Sequence, residues 1–134
     1  MSEIVCVIPI TKGEWITTAS EEWEGLYFAE FVIDWSLFKN CKGKLYVETM
    51  HANSLNPPKY GWLRMAYQQE PAQFIVVEGS EIETWQKVST RWQLLESEWF
   101  EVPEEPGVSC VWIQGKTKKG HECSLALATL VIVK

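Results

Sequence analysis

Residues 27–38 hold the most regular alternation of hydrophobic and polar positions in the chain. The polar residues Glu30, Asp34 and Ser36 fall on one parity, and hydrophobic residues recur on the other. A period of two places successive side chains on opposite faces of an extended strand, whereas a helical face repeats about every 3.6 residues. The pattern therefore predicts a half-buried strand, with these residues on its inner face: Tyr27, Ala29, Phe31, Ile33, Trp35 and Leu37.

The next segments continue the strand pattern, with turn residues between them. Residues 44–50 follow an Asn-Cys-Lys-Gly turn and alternate Leu45, Val47 and Thr49 against their neighbours, which predicts the return arm of a hairpin with the first strand. Residues 51–60 are rich in Asn, Ser and Pro and are predicted to be a surface loop. Further strands are predicted at residues 61–67, 74–77, 84–95, 99–102, 108–116 and 123–134, the segment 74–77 as a buried one. A helical turn is the alternative for residues 82–95, because their glutamines, lysine and leucines also suit a helix.

The end of the chain carries apolar residues on both strand faces, among them Leu125, Leu127, Leu130 and Ile132. A strand of this kind must be covered on both sides, so it is predicted either to lie centrally or to be covered by a neighbouring subunit. Residues 108–116 and the final segment are expected to join as a hairpin. Short strands with frequent turns and no long amphipathic helix predict an all-β, antiparallel β-sandwich of the jelly-roll type, formed as a single domain by residues 1–134.

Tryptophan is the unusual feature of the composition, because 8 of the 134 residues are Trp. Trp35 and Trp112 alternate with apolar neighbours and are predicted to lie in the core. Exposed aromatic rings stack on sugars or anchor protein interfaces, so the tryptophans near loops or polar sequence are candidates for binding a partner or a glycan. These candidates are Trp62, Trp85, Trp92 and Trp99.

The charge of the chain limits its partners. Its net charge of −6 disfavours nucleic acid and anionic membrane surfaces. The basic segment at residues 116–119 is predicted to be a solvated hairpin tip. No segment has the ~18 apolar residues of a membrane span, and the N-terminal segment, with Glu3 and Pro9, is not expected to act as a secretion signal.

No motif predicts catalysis, a metal or a cofactor. The four cysteines, which are expected to be unpaired thiols, have no metal-ligand spacing. A disulfide between Cys110 and Cys123 across the predicted hairpin is the alternative. His121 and Cys123 share a strand face, but an exposed turn histidine beside a packed thiol is favoured over a nucleophile pair. A small cupin-like or hydrolytic enzyme is therefore the least favoured hypothesis.

The second half of the chain combines E-x-x-T-W-x-x-V, an acidic Pro-Gly turn, V-x-C-V-W-I-Q-G-K and the apolar ending L-A-L-A-T-L-V-I-V. This part, about residues 83–134, resembles the small jelly-roll modules of bacteriophage virion proteins, such as head decoration (cement) proteins and fibre-associated domains. The resemblance implies a structural role in the virion without enzymatic activity or a cofactor. It also implies binding to capsid or other protein subunits, and self-association, for example into trimers. The alternative is a carbohydrate-binding module that uses the exposed tryptophans, with the cytoplasm as the alternative location.

Overall fold

The computed structural model describes residues 3–11, 16–50, 61–70, 73–84, 92–104 and 107–134. No helix in these segments has the length and apolar character needed to cross a membrane. The described residues form one short 3-10 helix, Trp35–Phe38, and twelve strands. The strands are β1 (Ile4–Pro9), β2 (Ile16–Thr18), β3 (Glu24–Asp34), β4 (Lys42–Met50), β5 (Gly61–Glu70), β6 (Gln73–Val76), β7 (Ile82–Glu83), β8 (Trp92–Glu96), β9 (Phe100–Glu101), β10 (Val108–Thr117), β11 (Cys123–Leu125) and β12 (Leu127–Val133).

The strands form two main sheets through antiparallel pairs. Sheet 1 has the order β1-β12-β4-β8, with β9 also paired to β4, and sheet 2 has the order β3-β10-β5-β6, with β7 also paired to β5. A small third sheet pairs β11 with β2. The pairs β1–β12, β2–β11, β3–β10, β4–β8 and β5–β6 are nested, so the chain is one long hairpin wound over two sheets. This is the jelly-roll arrangement, and it confirms the predicted fold class.

One hydrophobic core lies between the two main sheets. The alternation of side chains along each strand sends every second residue into this core, where the hydrophobic effect favours apolar groups. β12 lies between β1 and β4, as predicted for a central strand, but its outer face is not fully covered, since Leu127 is 47% exposed. Fully buried core residues come from both sheets: Leu45, Val47, Leu130 and Ile132 from sheet 1, and Leu63, Met65, Val111 and Ile113 from sheet 2.

The predicted strand at residues 27–38 is only partly correct. Ala29 and Ile33 point into the core as predicted, and Trp35 is fully buried. Tyr27 and Leu37, however, are 78% and 73% exposed, although the alternation placed them on the inner face. The strand also ends earlier than predicted, because residues from Trp35 onward form the 3-10 helix.

Two local features explain these differences. Phe28 has a φ of 66°, and the pairing of β3 with β10 shifts register nearby, so the alternation changes parity at this bulge. At the other end of the strand, the Asp34 carboxylate accepts a hydrogen bond from the Ser36 backbone N–H at 3.0 Å and caps the helical turn. A hydrophobic pattern does not report either feature.

Both predicted hairpins are wrong. β4 does show the predicted alternation, but it pairs with β12 and β8 in sheet 1 and not with β3 in sheet 2. β10 pairs with β3 and β5, while β11 pairs with β2 and β12 with β1 and β4. In a jelly roll, successive strands often belong to opposite sheets, so neighbours in sequence are not partners in space.

Two other predicted strands differ from the structure. The segment 74–77 was expected to be buried, but β6 lies at the end of the strand order in sheet 2 and Phe74 is partly exposed. The strand predicted at residues 84–95 is confirmed only in its last part, where β8 begins at Trp92. Its middle, residues 85–91, lies outside the described residues, as does the predicted loop at residues 51–60.

Phe28→Asn is expected to stabilise the fold. A left-handed backbone costs an ordinary residue about 1–2 kcal/mol, whereas Asn tolerates it, as Asn40 does here at a φ of 62°. Because the Phe28 side chain is largely exposed, we expect a net gain of about 0.5–1 kcal/mol in the free energy of unfolding. The control is Val32→Asn at an exposed position of the same strand, where Asn should lower stability. Urea denaturation measures both, and a loss for Phe28→Asn would contradict the strained backbone.

Candidate functional site

The structure separates the candidate tryptophans. Trp62 lies half-buried on the outer face of sheet 2, and Trp99 lies beside sheet 1, where its ring contacts Lys44 of β4. Trp85 lies outside the described residues, and so does the side chain of Trp92. The two tryptophans that can be placed therefore do not form one surface.

Trp62 belongs to a cluster of aromatic and cationic side chains, which we call the aromatic–cation site: Trp23, Trp62, Arg64, Gln114 and Lys116. The register of β5 and β10 builds most of it, because Gln114 pairs with Arg64 and Lys116 pairs with Trp62. Side chains two residues apart on one strand share a face, so all four of these point outward from sheet 2. Trp23 comes from the segment just before β3 and covers the two cations.

Arg64 is held in place from two directions. The centre of its guanidinium group lies 3.9 Å from the centroid of the Trp23 ring, which is a close cation–π contact. Its Nε donates a hydrogen bond to the Gln114 Oε1 at 2.8 Å. Partial burial lowers the pKa of Arg64, and the more distant carboxylates Glu81 and Glu78 oppose that shift. The guanidinium is therefore oriented and partly desolvated.

Lys116 lies between two tryptophans. Its Nζ is 5.0 Å from the Trp23 centroid and 5.2 Å from the Trp62 centroid. Within the described segments, neither Lys116 nor Arg64 has a carboxylate oxygen within ion-pair distance. Both positive charges therefore lie beside aromatic rings, and Glu81 and Glu78 act on Arg64 only from beyond ion-pair distance.

Lys44 on sheet 1 provides an internal comparison. Its Nζ also lies 5.0 Å from a tryptophan centroid, that of Trp99, but it forms an ion pair with Glu96 at 2.8 Å. The hydrogen bond to Glu96 raises the pKa of Lys44. Lys44 and Lys116 thus both lie beside tryptophan rings, but in the described segments only Lys44 has a carboxylate at ion-pair distance.

Sequence reasoning found Trp62 and missed the rest of the site. Lys116 was assigned to a solvated hairpin tip, but the tip consists of the exposed residues Lys118, Lys119 and Gly120, and Lys116 still belongs to β10. The available signal was the spacing of Gln114 and Lys116, which places both on one strand face. The contribution of Trp23 depends on tertiary structure and has no counterpart in the local pattern.

A second surface of interest is the outer edge of β1. In the described part of the chain, β1 pairs with β12 alone. None of its six residues, Ile-Val-Cys-Val-Ile-Pro, carries a charge. Ile4, Val5 and Val7 are 62%, 43% and 54% exposed. An uncharged edge strand with exposed aliphatic side chains is a ready template for pairing with another strand.

The backbone of β1 shows which groups face outward. The Ile10 N–H donates to the Ala128 carbonyl, so the backbone groups of Ile10 face β12. Alternate residues of a strand direct these groups to opposite sides, and Val7 and Pro9 therefore present theirs to the open edge. Proline has no N–H and is tolerated at such outward positions. The register with β12 shifts between Ile4 and Cys6. The regularly paired part of β1 therefore begins at Cys6 and has Val7 near its centre.

The cysteines show no disulfide, and the alternative pairing of Cys110 with Cys123 is wrong. All four thiols are free. Cys123 is fully buried, and burial raises the pKa of its thiol to about 12. A thiol that stays protonated at neutral pH is a poor nucleophile, so the pairing of Cys123 with His121 does not have the properties of a catalytic dyad.

No protein-family model matches this sequence, and no curated protein matches it significantly. In the described residues, no group of three or more His, Cys, Asp or Glu side chains is arranged to hold a metal ion.

The thiols are expected to differ in reactivity. At about pH 8, a disulfide reagent should modify the partly exposed Cys6 and Cys110 in the folded protein and leave Cys41 and Cys123 unmodified. Cys123→Ala should not change the number of thiols modified in the folded protein, and it should lower the number modified in the denatured protein by one. Because folding raises this pKa from 9.0 to about 12, the contribution of the protonated thiol to stability should decline between those pH values. Rapid modification of Cys123 in the folded state would contradict its burial.

Proposed function

We propose that this chain is a non-enzymatic structural module that binds other protein subunits along the open edge of β1. The observation that carries the proposal is the edge itself, an uncharged strand with exposed Ile4, Val5 and Val7. The sequence resemblance to phage virion modules supplies the setting, a virus or phage particle. The jelly roll also occurs in viral capsid proteins, which agrees with this setting, and the same fold serves other functions as well.

The edge of β1 differs from that of β3 in sheet 2. β3 carries Glu24 and Glu30, and its backbone is distorted at Phe28. Charged side chains and bulges are the features that protect edge strands from unwanted pairing. β1 has a register shift near Ile4 and a terminal proline, but its central residues have no charge to prevent the approach of another strand.

A second copy of the chain is the simplest partner for this edge. In an antiparallel pair centred on Val7, each Val7 N–H would donate to the Val7 carbonyl of the other copy. The pair would continue sheet 1 across a twofold axis, and such isologous interfaces are the commonest in homo-oligomers. A trimer would instead require β1 to bind a different surface, so the measured mass distinguishes the two arrangements.

Val7→Lys is expected to convert the assembled protein to monomer. A lysine at the centre of the edge would place a charge in the interface of each subunit. Light scattering after size-exclusion chromatography measures the mass, with Val32→Lys on β3 as the matched control at another exposed valine. The control should keep the mass of the unmodified protein. A monomeric unmodified protein that also fails to bind particle subunits in co-sedimentation would overturn the proposal.

Val7→Cys is expected to form a disulfide between two copies. In the proposed register, the two Val7 Cα atoms would be about 5.5 Å apart, which lies within the range that a disulfide spans. Under mild oxidation, mass spectrometry should find the link between the two introduced thiols, and Val32→Cys should give none. An assembled protein without this link would rule out the register centred on Val7. The Val7→Lys variant would then decide whether the β1 edge takes part in assembly at all.

A further inference from the structure

We propose that the aromatic–cation site on sheet 2 binds an acidic sugar of the hexuronate class, in which a pyranose ring carries a carboxylate. This inference goes beyond the assembly role, because it concerns the opposite sheet and a different kind of ligand. It also makes the general idea of a carbohydrate-binding module specific, since it names the charge that the sugar must carry.

Arg64 provides an oriented fork for the carboxylate. Its Nε donates to Gln114 and its Cζ lies 3.9 Å from the Trp23 centroid, so the donors that remain for a ligand are the two terminal nitrogens. A planar guanidinium with two parallel N–H groups matches the geometry of a carboxylate. Because the contact with Trp23 and the hydrogen bond fix the side chain before binding, little conformational entropy is lost when the ligand arrives.

Lys116 provides the second charge. Both cations lie within 5.0 Å of the same ring centre, that of Trp23, and neither has an ion-pair partner in the described segments. The comparison with Lys44 is informative, because Glu96 neutralises that lysine beside its own tryptophan. Neither cation has a carboxylate at ion-pair distance in the described segments, and Glu81 and Glu78 offset the charge of Arg64 only from farther away, so both cations would gain more from an anionic ligand than from a neutral one.

Trp62 accounts for the sugar ring. It is half-buried, and its ring centroid lies 5.2 Å from the Lys116 Nζ, whereas the Trp23 ring already contacts Arg64 at 3.9 Å. A pyranose ring presents C–H groups that pack on an aromatic face, and in a hexuronate the carboxylate is one bond away from that ring. An aromatic surface beside a cation therefore fits both parts of one ligand. A simple inorganic anion would use only the cations.

The surrounding charges restrict the class of ligand further. The chain has a net charge of −6, and Glu78 and Glu81 act electrostatically on Arg64. These groups oppose the approach of densely charged polymers such as nucleic acids. A sugar with one carboxylate per ring has a lower charge density and brings the apolar contacts that a phosphate backbone lacks.

Calorimetric titration with trigalacturonate, and with its fully methyl-esterified form at the same ionic strength, tests the proposal on the unmodified protein. The two probes share their rings and hydroxyl groups and differ in the carboxylate charge. We expect the acid to bind at least about tenfold more tightly than the ester, because charged hydrogen bonds are lost in the ester. Equal binding of both probes, or binding of neither, would overturn the proposal.

Variants then locate the binding site. Lys116→Gln and Trp62→Ala should each weaken trigalacturonate binding by about tenfold or more, while Lys44→Gln and Trp99→Ala, the matched pair on sheet 1, should leave it unchanged. Circular dichroism checks that every variant is folded. A loss caused by the sheet 1 variants, or displacement of the sugar by equimolar inorganic sulfate, would contradict the site. Val7→Lys should bind the sugar normally, which separates this test from that of assembly.

Discussion

Nested antiparallel pairing is the constraint on which this structure depends. β5 and β6 pair at the middle of the chain, and each earlier strand pairs with a later one, out to β1 and β12. Both main sheets are completed by strands from distant parts of the sequence, and their inner faces meet in one core. The same constraint places β1 at the end of the strand order in sheet 1, where, among the described residues, it pairs with β12 alone.

The sequence predicted the fold class because burial determines the local pattern. β4 alternates as expected, with Leu45 and Val47 inward, and β12 directs Leu130 and Ile132 into the same core. The pairing could not be predicted in this way. A periodic pattern shows which face of a strand is buried but does not show which strand it pairs with. The predicted hairpins joined strands that are neighbours in sequence, and a jelly roll does not pair these strands.

The limits at the binding site have the same origin. Trp62 could be selected because a tryptophan in polar sequence is unusual, but its neighbours Arg64 and Lys116 are charged residues, which most often are simply solvated. What distinguishes them is the position of Trp23, and that depends on the tertiary path of the chain into β3. The parity change at Phe28 was hidden for a related reason, since a bulge is a matter of backbone pairing and leaves the residue types unchanged.

The two proposed surfaces are chemically different and lie on different sheets, which makes simultaneous use possible. Sheet 1 neutralises Lys44 with Glu96 and leaves aliphatic groups at its β1 edge, an arrangement that favours contact with another protein surface. Sheet 2 keeps Arg64 and Lys116 against aromatic rings without a carboxylate at ion-pair distance in the described segments. If two copies pair through β1, sheet 1 becomes continuous across the twofold axis and each copy retains its own aromatic–cation site. A ligand with repeated acidic sugars would then gain affinity from engaging two sites at once, provided that it is long enough to reach both.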